Sequence, residues 1–334
     1  MSIVVTVDLA KLQENIWKAT KICCAQDLEL VAVVKGLCGH INICRQIIQA
    51  GLTKLADSRL HNIKTLKQAG IDCEMTLLRP PSMDEIDDCI TYVDTSFNVD
   101  LDVLRALSHQ AQLMCKEHNV SIVFDADTHR EGLKGNTLQQ VCQEVLELPN
   151  LQLTGLAIYF AKKETDSEYF QKEAELVKQV RAIETEFGLS LPTVSVGSSG
   201  AFGSFVRTQQ IPEGINQFRV GTGLLLGISS SVGPEYIEGF HHFVFTLQAE
   251  IMQIIHDGVK NRTAVLHMGR VDVELAGLIP TDELSVFDIT SDHTMICLGE
   301  RHADLAVGDK VTFGVNYYSL NRLFLSPYTQ VVLV

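Results

Sequence analysis

Hydrophobic and polar residues follow one pattern in the first two thirds of the chain and another in the last third. Between residues 28 and 227, short apolar runs rich in β-branched residues alternate with longer stretches whose apolar residues recur every three or four positions. The short runs are typical of buried strands, and the long stretches are typical of amphipathic helices. The pattern predicts eight strands, at residues 28–35, 54–58, 75–79, 93–98, 120–127, 151–161, 193–199 and 218–225.

Eight alternations of strand and helix over about 200 residues predict a closed parallel barrel of the (β/α)8, TIM type. An open doubly wound sheet is the alternative. The run at 30–34 is apolar on both faces, as expected of a parallel strand covered by helices. We therefore expect an α/β fold whose N-terminal part is a barrel.

After residue 228 the pattern changes to short strand-like segments punctuated by Gly and Asp, with no long helical pattern. These segments are 245–255, 263–273, 284–289, 294–298, 310–318 and 329–334. The sequence thus predicts a barrel domain at 1–227 and a C-terminal all-β domain at 228–334. The first strand of the chain is expected to join the β domain.

The composition and net charge of the chain exclude some classes of protein. The chain has 334 residues and a formal net charge of −14, which argues against binding to nucleic acid or to an anionic membrane surface. No apolar stretch approaches the roughly 20 residues of a membrane span, and the start of the chain lacks the pattern of a signal peptide. The nine cysteines show no metal-site spacing. We expect a cytoplasmic protein with reduced thiols and no metal.

The carboxyl ends of barrel strands are where catalytic residues lie in this architecture. Lys35 closes the apolar first strand of the predicted barrel. A desolvated lysine there has a lowered pKa and can attack a carbonyl compound to form a Schiff base. The alternative is a structural lysine whose ammonium group simply extends into solvent.

Two small-residue loops predict a phosphate site. Gly and Ser residues end the seventh strand just before a helical pattern, and a second such loop follows the eighth strand. Backbone N–H groups and hydroxyls at such a turn can bind a phosphate, although a serine N-cap is the simpler interpretation. The two loops are Gly197-Ser198-Ser199-Gly200 and Gly221-Thr222-Gly223.

Arg130 and Arg219 each follow a buried run, where an unpaired guanidinium is costly. Each needs a carboxylate, a phosphate or a cofactor atom as its partner. For Arg130, an ion pair with Asp125 or Asp127 is the alternative to a role in a site.

The ordered set VAVVKGLCGH, LADSRLHNIKTLKQAGI, DADTHREG, VGSSG and PEGINQFRVGTGLLLG resembles the alanine racemase family of pyridoxal phosphate enzymes. LADSRL, LLRPPSM, GLIP and the TSDH segment are similar to its ornithine racemase branch. The resemblance extends from about residue 4 to 330. It implies the barrel and β-domain architecture, bound pyridoxal phosphate and a homodimer that shares its sites.

The resemblance also implies roles for individual residues. Lys35 resembles the lysine that holds the cofactor and transfers one proton. Arg219 resembles the arginine that faces the pyridine nitrogen, which a guanidinium of pKa above 12 would leave unprotonated. Arg130 resembles the arginine at the phenolic oxygen. The residues implied to hold the phosphate are Ser198, Ser199, Gly221, Thr222 and Tyr317.

Three departures from the family pattern stand out. The loop after Lys35 is one residue shorter and contains Cys38, and Tyr159 stands where the family has a histidine near the ring. Arg270 stands where the partner subunit of alanine racemase supplies the second, tyrosine base. An arginine is a poor base at neutral pH, so His293, Asp272 and Tyr317 are the candidates to replace that tyrosine.

We therefore expect a two-base racemase acting on ornithine or another basic amino acid. Asp272 and Glu274 are candidate acceptors for the terminal ammonium of such a substrate. The alternatives are a racemase of alanine or of broad specificity, a pyridoxal phosphate decarboxylase of basic amino acids, and a non-catalytic protein of pyridoxal phosphate homeostasis.

Overall fold

The computed structural model describes residues 3–125, 130–160, 162–230, 235–257, 261–281, 284–298, 302 and 304–334. The strands are β1 (Ile3–Val7), β2 (Glu29–Val33), β3 (Lys54–Asp57), β4 (Glu74–Leu77), β5 (Thr95–Asn98), β6 (His118–Phe124), β7 (Leu151–Tyr159), β8 (Thr193–Gly197), β9 (Gln217–Val220), β10 (Phe245–Asp257), β11 (Asn261–Leu266), β12 (Leu278–Pro280), β13 (Ser285–Ile289), β14 (Thr294–Leu298), β15 (Lys310–Val315) and β16 (Thr329–Leu333). The α-helices are α1 (Leu9–Cys24), α2 (Ile41–Gln49), α3 (Leu60–Gln68), α4 (Ile86–Tyr92), α5 (Leu101–Leu113), α6 (Gly135–Glu147), α7 (Asp166–Phe187), α8 (Ser199–Thr208), α9 (Thr222–Leu226) and α10 (Tyr317–Leu325).

The chain forms two compact units. The barrel unit comprises Ile16–Lys35 and Gly39–Gly221, and the sheet unit comprises the other described residues. Every described helix is too short or too polar to span a bilayer.

The barrel unit contains a closed parallel barrel in which β2 to β9 pair in sequence order. β9 closes the barrel against β2, with Val31 opposite Arg219 and Ala32 opposite Val220. Because all eight strands run in parallel, their carboxyl ends meet at one end of the barrel. The predicted parallel barrel is confirmed.

Local sequence signals explain where the barrel helices begin and end. His40 caps α2, and its Nδ1 accepts a hydrogen bond from Ile43 N at 3.4 Å. Thr165 and Glu168 form a capping box at the start of α7, which ends at Gly188 with a left-handed φ of 64°. These caps mark where α2 begins and where α7 begins and ends.

The sheet unit contains a mainly antiparallel sheet in the order β12-β15-β10-β11-β14-β13. β1 pairs antiparallel with β10 and parallel with β16, so the first strand of the chain belongs to this sheet. The predicted C-terminal β architecture is confirmed.

Three predicted strands were wrong in extent. The segment 218–225 was predicted as one strand, but β9 ends at Val220 and α9 begins at Thr222. The segment 310–318 contains the strand β15 followed by the start of α10, and 263–273 contains a strand only as far as Leu266. Short apolar runs do not distinguish a strand from a helical turn, because periodicity needs several residues to show.

Candidate active site

Lys35 lies just beyond the carboxyl end of β2 and begins a 3₁₀ turn, Lys35–Leu37. The neighbouring strand holds this end in place, because Val34 N donates a hydrogen bond to Ala56 O at 2.8 Å. The side chain of Lys35 is half-buried. A lysine so placed is anchored by a rigid strand and still accessible to a small molecule.

Asp57 ends β3, the strand next to Lys35, and is fully buried. Its carboxylate accepts hydrogen bonds from Arg59 N at 2.8 Å and from Asn62 Nδ2 at 3.1 Å. Burial raises the pKa of Asp57 to about 6, while these hydrogen bonds and the charge of Lys35 oppose the rise. The site therefore places a buried carboxylate within electrostatic reach of the lysine.

This raised pKa predicts a pH-dependent difference between the wild type and Asp57→Asn. The folded-state pKa lies above the ordinary value of 3.8, so ionisation favours the unfolded chain as pH rises from about 4 to about 6. The unfolding free energy of the wild type, relative to Asp57→Asn, should fall by about 2 to 3 kcal/mol between pH 4 and pH 7.

Urea titrations at the two pH values measure that difference. Asp72→Asn is the control, because Asp72 is exposed on the loop before β4. A difference between wild type and Asp57→Asn that stays constant over this pH range would contradict the assignment of a buried, titrating carboxyl.

Arg219 lies on β9 with its guanidinium inside the barrel unit, and only 4% of the residue is exposed. Its Nη2 donates a hydrogen bond to Ile158 O at 2.7 Å, and its Nη1 donates one to Ser195 Oγ. The guanidinium also lies 4.7 Å from the centre of the Phe97 ring. Among the described residues no carboxylate forms an ion pair with it.

Burial lowers the pKa of Arg219 to about 9, below the value above 12 that the sequence alone suggested, yet leaves it protonated at pH 7. Gly197 makes room for this side chain, since a Cβ at that position would overlap the guanidinium. The backbone of β8 at Gly197 therefore packs directly against the Arg219 guanidinium. A buried positive charge of this kind needs an electron-rich partner.

Arg130 and Tyr159 contact each other directly, with the guanidinium carbon 4.1 Å from the centre of the tyrosine ring. Arg130 is exposed and forms its ion pair with Glu131. Among the described contacts Arg130 forms no ion pair with Asp125, the alternative considered from the sequence, and Asp125 lies 3.9 Å from Lys134. Asp127 lies outside the described residues.

The two small-residue loops are connected by a hydrogen bond, in which Gly221 N donates to Ser199 Oγ at 3.3 Å. Ser198 is the N-cap of α8, and its hydroxyl accepts a bond from Ala201 N at 3.3 Å. Thr222 follows Gly221 as the first residue of α9. The barrel unit thus brings the Ser199 hydroxyl and the Gly221 N–H of the two loops together.

Sequence reasoning missed several residues of this region. Tyr169 is buried, and its hydroxyl occupies the space that a Cβ on Gly200 would fill, beside the Ser198 hydroxyl. Asp57 ends a barrel strand, so the rule that identified Lys35 would have identified it too. Phe97 and Ser195 point inward on β5 and β8 and carry no signal in the sequence.

Tyr317 is the first residue of α10 in the sheet unit, after the N-cap Asn316. Its ring lies against Gly36, where an added Cβ would be 3.2 Å from Tyr317 Cε2. Cys38 in the same turn accepts a bond from Asn321 Nδ2 at 3.3 Å. The start of α10 therefore holds the residues that follow Lys35 in the chain.

Two of the remaining candidates, Asp272 and Glu274, bond to neighbouring residues of the sheet unit. Asp272 is 9% exposed and accepts a hydrogen bond from Gly269 N at 3.1 Å, and burial raises the pKa of its carboxyl. Glu274 forms an ion pair with Arg322 at 2.8 Å. Each carboxylate therefore already has one partner within the sheet unit, and its other oxygen can still accept a hydrogen bond.

Arg270 contacts the segment that precedes His293 in the sheet unit. His293 is half-buried just before β14, and its backbone bonds to Thr290. Arg270 is exposed and donates from Nε to Ile289 O at 2.9 Å. Arg270 thus acts as a hydrogen-bond donor to the turn before His293.

Comparison with known proteins identifies a family model that matches two thirds of the chain and relatives that match nearly all of it. The family model "Alanine racemase, N-terminal domain" matches residues 7–228. The chain is 28% identical to the ornithine racemase of Acetoanaerobium sticklandii and 24% identical to the lysine racemase of Thermotoga maritima, each over 98% of this chain and at least 97% of the relative. The solved alanine racemase of Clostridium difficile 630 superimposes with a TM-score of 0.81 at 18% identity, over 100% of this chain and 96% of that one.

Proposed function

Because the chain belongs to the alanine racemase family, we propose that it is a pyridoxal phosphate-dependent racemase of ornithine or lysine. The observation that most supports a bound cofactor is the buried Arg219 guanidinium. It has no carboxylate partner among the described residues, and it lies on β9, which pairs with β2, the strand that precedes Lys35. The two relatives of matching length, named for ornithine and for lysine, support a basic amino acid as the substrate.

The residues of the barrel unit fit this cofactor. A pyridine nitrogen is an uncharged acceptor that a guanidinium can bond without losing its proton. Ser198, Ser199 and Gly221 offer hydroxyl and N–H groups to the phosphate. Lys35 supplies the amine for covalent attachment, and the Arg130–Tyr159 pair offers an aromatic face and a positive charge.

Pyridoxal phosphate, when bound, supplies the electron-withdrawing ring that makes the Cα proton of an amino acid acidic. Arg219 stays charged and fixes the electrostatics around the ring nitrogen, because its own proton is not given up at neutral pH. The Lys35 amine accepts or returns the Cα proton on one face. Lys35 is thus both an anchor and a proton carrier.

A second proton carrier must serve the opposite face of Cα. Asp272 already accepts a hydrogen bond from Gly269 N but has further acceptor sites, so Asp272, His293 and Tyr317 are all candidates. Tyr317 already lies against the residue that follows Lys35, and the imidazole of a histidine is the side chain that most often serves as a general base. The family resemblance further leads us to propose a cytoplasmic homodimer with sites shared between subunits.

A substrate panel tests the proposal. The protein, supplied with pyridoxal phosphate, is incubated with L-ornithine, L-lysine, L-arginine and L-alanine, and products are separated by chiral chromatography. We expect the D-enantiomer of ornithine or lysine to form at least tenfold faster than that of alanine. Faster alanine turnover would overturn the substrate class.

Two further outcomes would contradict the proposal that the protein is a racemase. Release of labelled carboxyl carbon as carbon dioxide would identify a decarboxylase. Binding of pyridoxal phosphate without turnover of any amino acid would identify a protein of cofactor homeostasis.

A further inference from the structure

A cavity of about 220 Å³ lies between α7 and α8 in the barrel unit. Glu173, Ser204 and Phe205 form its inner wall, while Phe170 and Ser167 lie at its exposed rim. None of its lining residues belongs to the candidate active site. Its volume equals that of about seven water molecules, which suits a small organic molecule.

Glu173 is the unusual residue of this cavity. Only 4% of the residue is exposed, and no described residue forms a hydrogen bond or ion pair with its carboxyl group. By contrast, the buried Glu164 nearby in the chain is paired with Lys172 at 2.7 Å. A buried carboxyl without a partner is costly when ionised, and burial raises the pKa of Glu173 to about 8.

Two hydroxyl groups of the wall, those of Ser204 and Thr208, already donate to acceptors of the protein, whereas Ser167 and Gln210 line the exposed rim. The Ser204 hydroxyl bonds to the Asp166 carboxylate, which also accepts a bond from Arg207 Nη2 at 2.6 Å. The Thr208 hydroxyl donates to Ser204 O at 2.9 Å. The inner wall therefore presents oxygen acceptors and a carboxyl group that ionises beside a cation, which suits a ligand that donates hydrogen bonds and carries positive charge.

The rings of Phe170 and Phe205 give the same cavity an apolar side. Methylene groups can pack there, and a cation gains further from an aromatic face. A fully hydrated inorganic cation would leave these rings without a complementary surface. The combination of an unpaired acid, acceptor oxygens and aromatic rings is suited to an amine with a short hydrocarbon chain.

We propose that this cavity is a binding site for a primary alkylammonium ion. The ammonium group pairs with the Glu173 carboxylate and donates to the acceptor oxygens beside it. The hydrocarbon chain packs against Phe170 and Phe205. The site is separate from the racemase assignment, and it would exist whatever reaction the barrel end catalyses.

Calorimetric titration of the cofactor-loaded protein with n-butylammonium chloride tests the site. We expect saturable binding that Glu173→Gln weakens at least tenfold, since the amide keeps the shape but cannot ionise to pair with the ammonium group. Glu175→Gln is the matched control on the same helix, where Glu175 bonds to Gln179 at 2.7 Å, and it should leave the affinity unchanged. Phe170→Ala, at the exposed rim, should weaken binding about threefold through lost packing.

Four outcomes would contradict the proposal, and each identifies a different cause. Equal binding to wild type and Glu173→Gln would overturn the proposal, and a change in the cofactor absorbance would show that the amine had bound at the candidate active site instead. An equal response to potassium chloride would mean that the cavity takes any cation, and a loss of binding in Glu175→Gln would mean a general effect of surface charge. Each of these results rejects an alkylammonium site at Glu173.

Discussion

The Lys35→Ala variant should lose at least about a thousandfold in kcat/KM for racemisation while keeping its fold. Alanine removes both the covalent anchor of the cofactor and the proton carrier on one face of Cα, and general acid–base catalysis alone contributes a factor of about 10² to 10⁴. Lys35 is half-buried and lies beyond the end of β2, so its replacement leaves the strand pairing intact. Chiral chromatography of ornithine or lysine measures the rate.

Two controls accompany this variant. Lys178→Ala replaces a lysine whose side chain is 74% exposed and should retain full activity. Added methylamine should restore part of the rate in Lys35→Ala, because a free amine can replace the missing proton carrier. Retention of wild-type activity in Lys35→Ala would remove Lys35 from the mechanism.

The Arg219→Gln variant should lose most of its racemase activity and keep most of its stability. We expect racemisation to fall at least about a hundredfold, the size of the effect when a preorganised charge is removed from an active site. The unfolding free energy of the cofactor-free protein should change by less than about 2 kcal/mol, because two opposing effects nearly cancel. Removal of an unpaired buried charge is favourable, whereas loss of the bonds to Ile158 O and Ser195 Oγ is unfavourable.

Denaturant titration and steady-state kinetics of the same Arg219→Gln preparation measure the two effects. Phe97→Leu is a useful comparison, because it removes the aromatic face 4.7 Å from the guanidinium and keeps the charge. A strongly destabilised Arg219→Gln whose folded fraction is fully active would show that Arg219 is a structural residue only.

The barrel could be predicted from the sequence because its strands carry a clear signal. The run at 30–34 is apolar throughout, and β2 covers nearly all of it. The leucines after Gly221 are also apolar, but there the chain forms α9 and not a longer strand. Five residues are too few for a helical period to appear, so tertiary structure decides such segments.

The residues of the site were predictable where chemistry marks them in the sequence. Lys35 and Arg219 stand out as charges next to apolar runs, which is costly without a partner. Ser195 and Phe97 have no such mark, because a serine or phenylalanine in a strand is ordinary. Their part in holding Arg219 depends on which residues of neighbouring strands point inward, and only the folded barrel determines that.

The α10 helix shows how a cap can be overlooked. Asn316 accepts a hydrogen bond from Ser319 N at 3.0 Å, which is an ordinary helix N-cap, yet the segment reads as a strand that continues to residue 318. The error matters because α10 places Tyr317 against Gly36.

Proton exchange at Cα tests the central claim most directly. L-ornithine and D-ornithine are incubated separately in deuterated water with the cofactor-loaded protein, and loss of the Cα proton signal is followed by proton NMR. The account predicts deuterium incorporation from both enantiomers, with each yielding the other, and no exchange in Lys35→Ala. Persistence of the Cα proton in both enantiomers, with pyridoxal phosphate bound at Lys35, would contradict it.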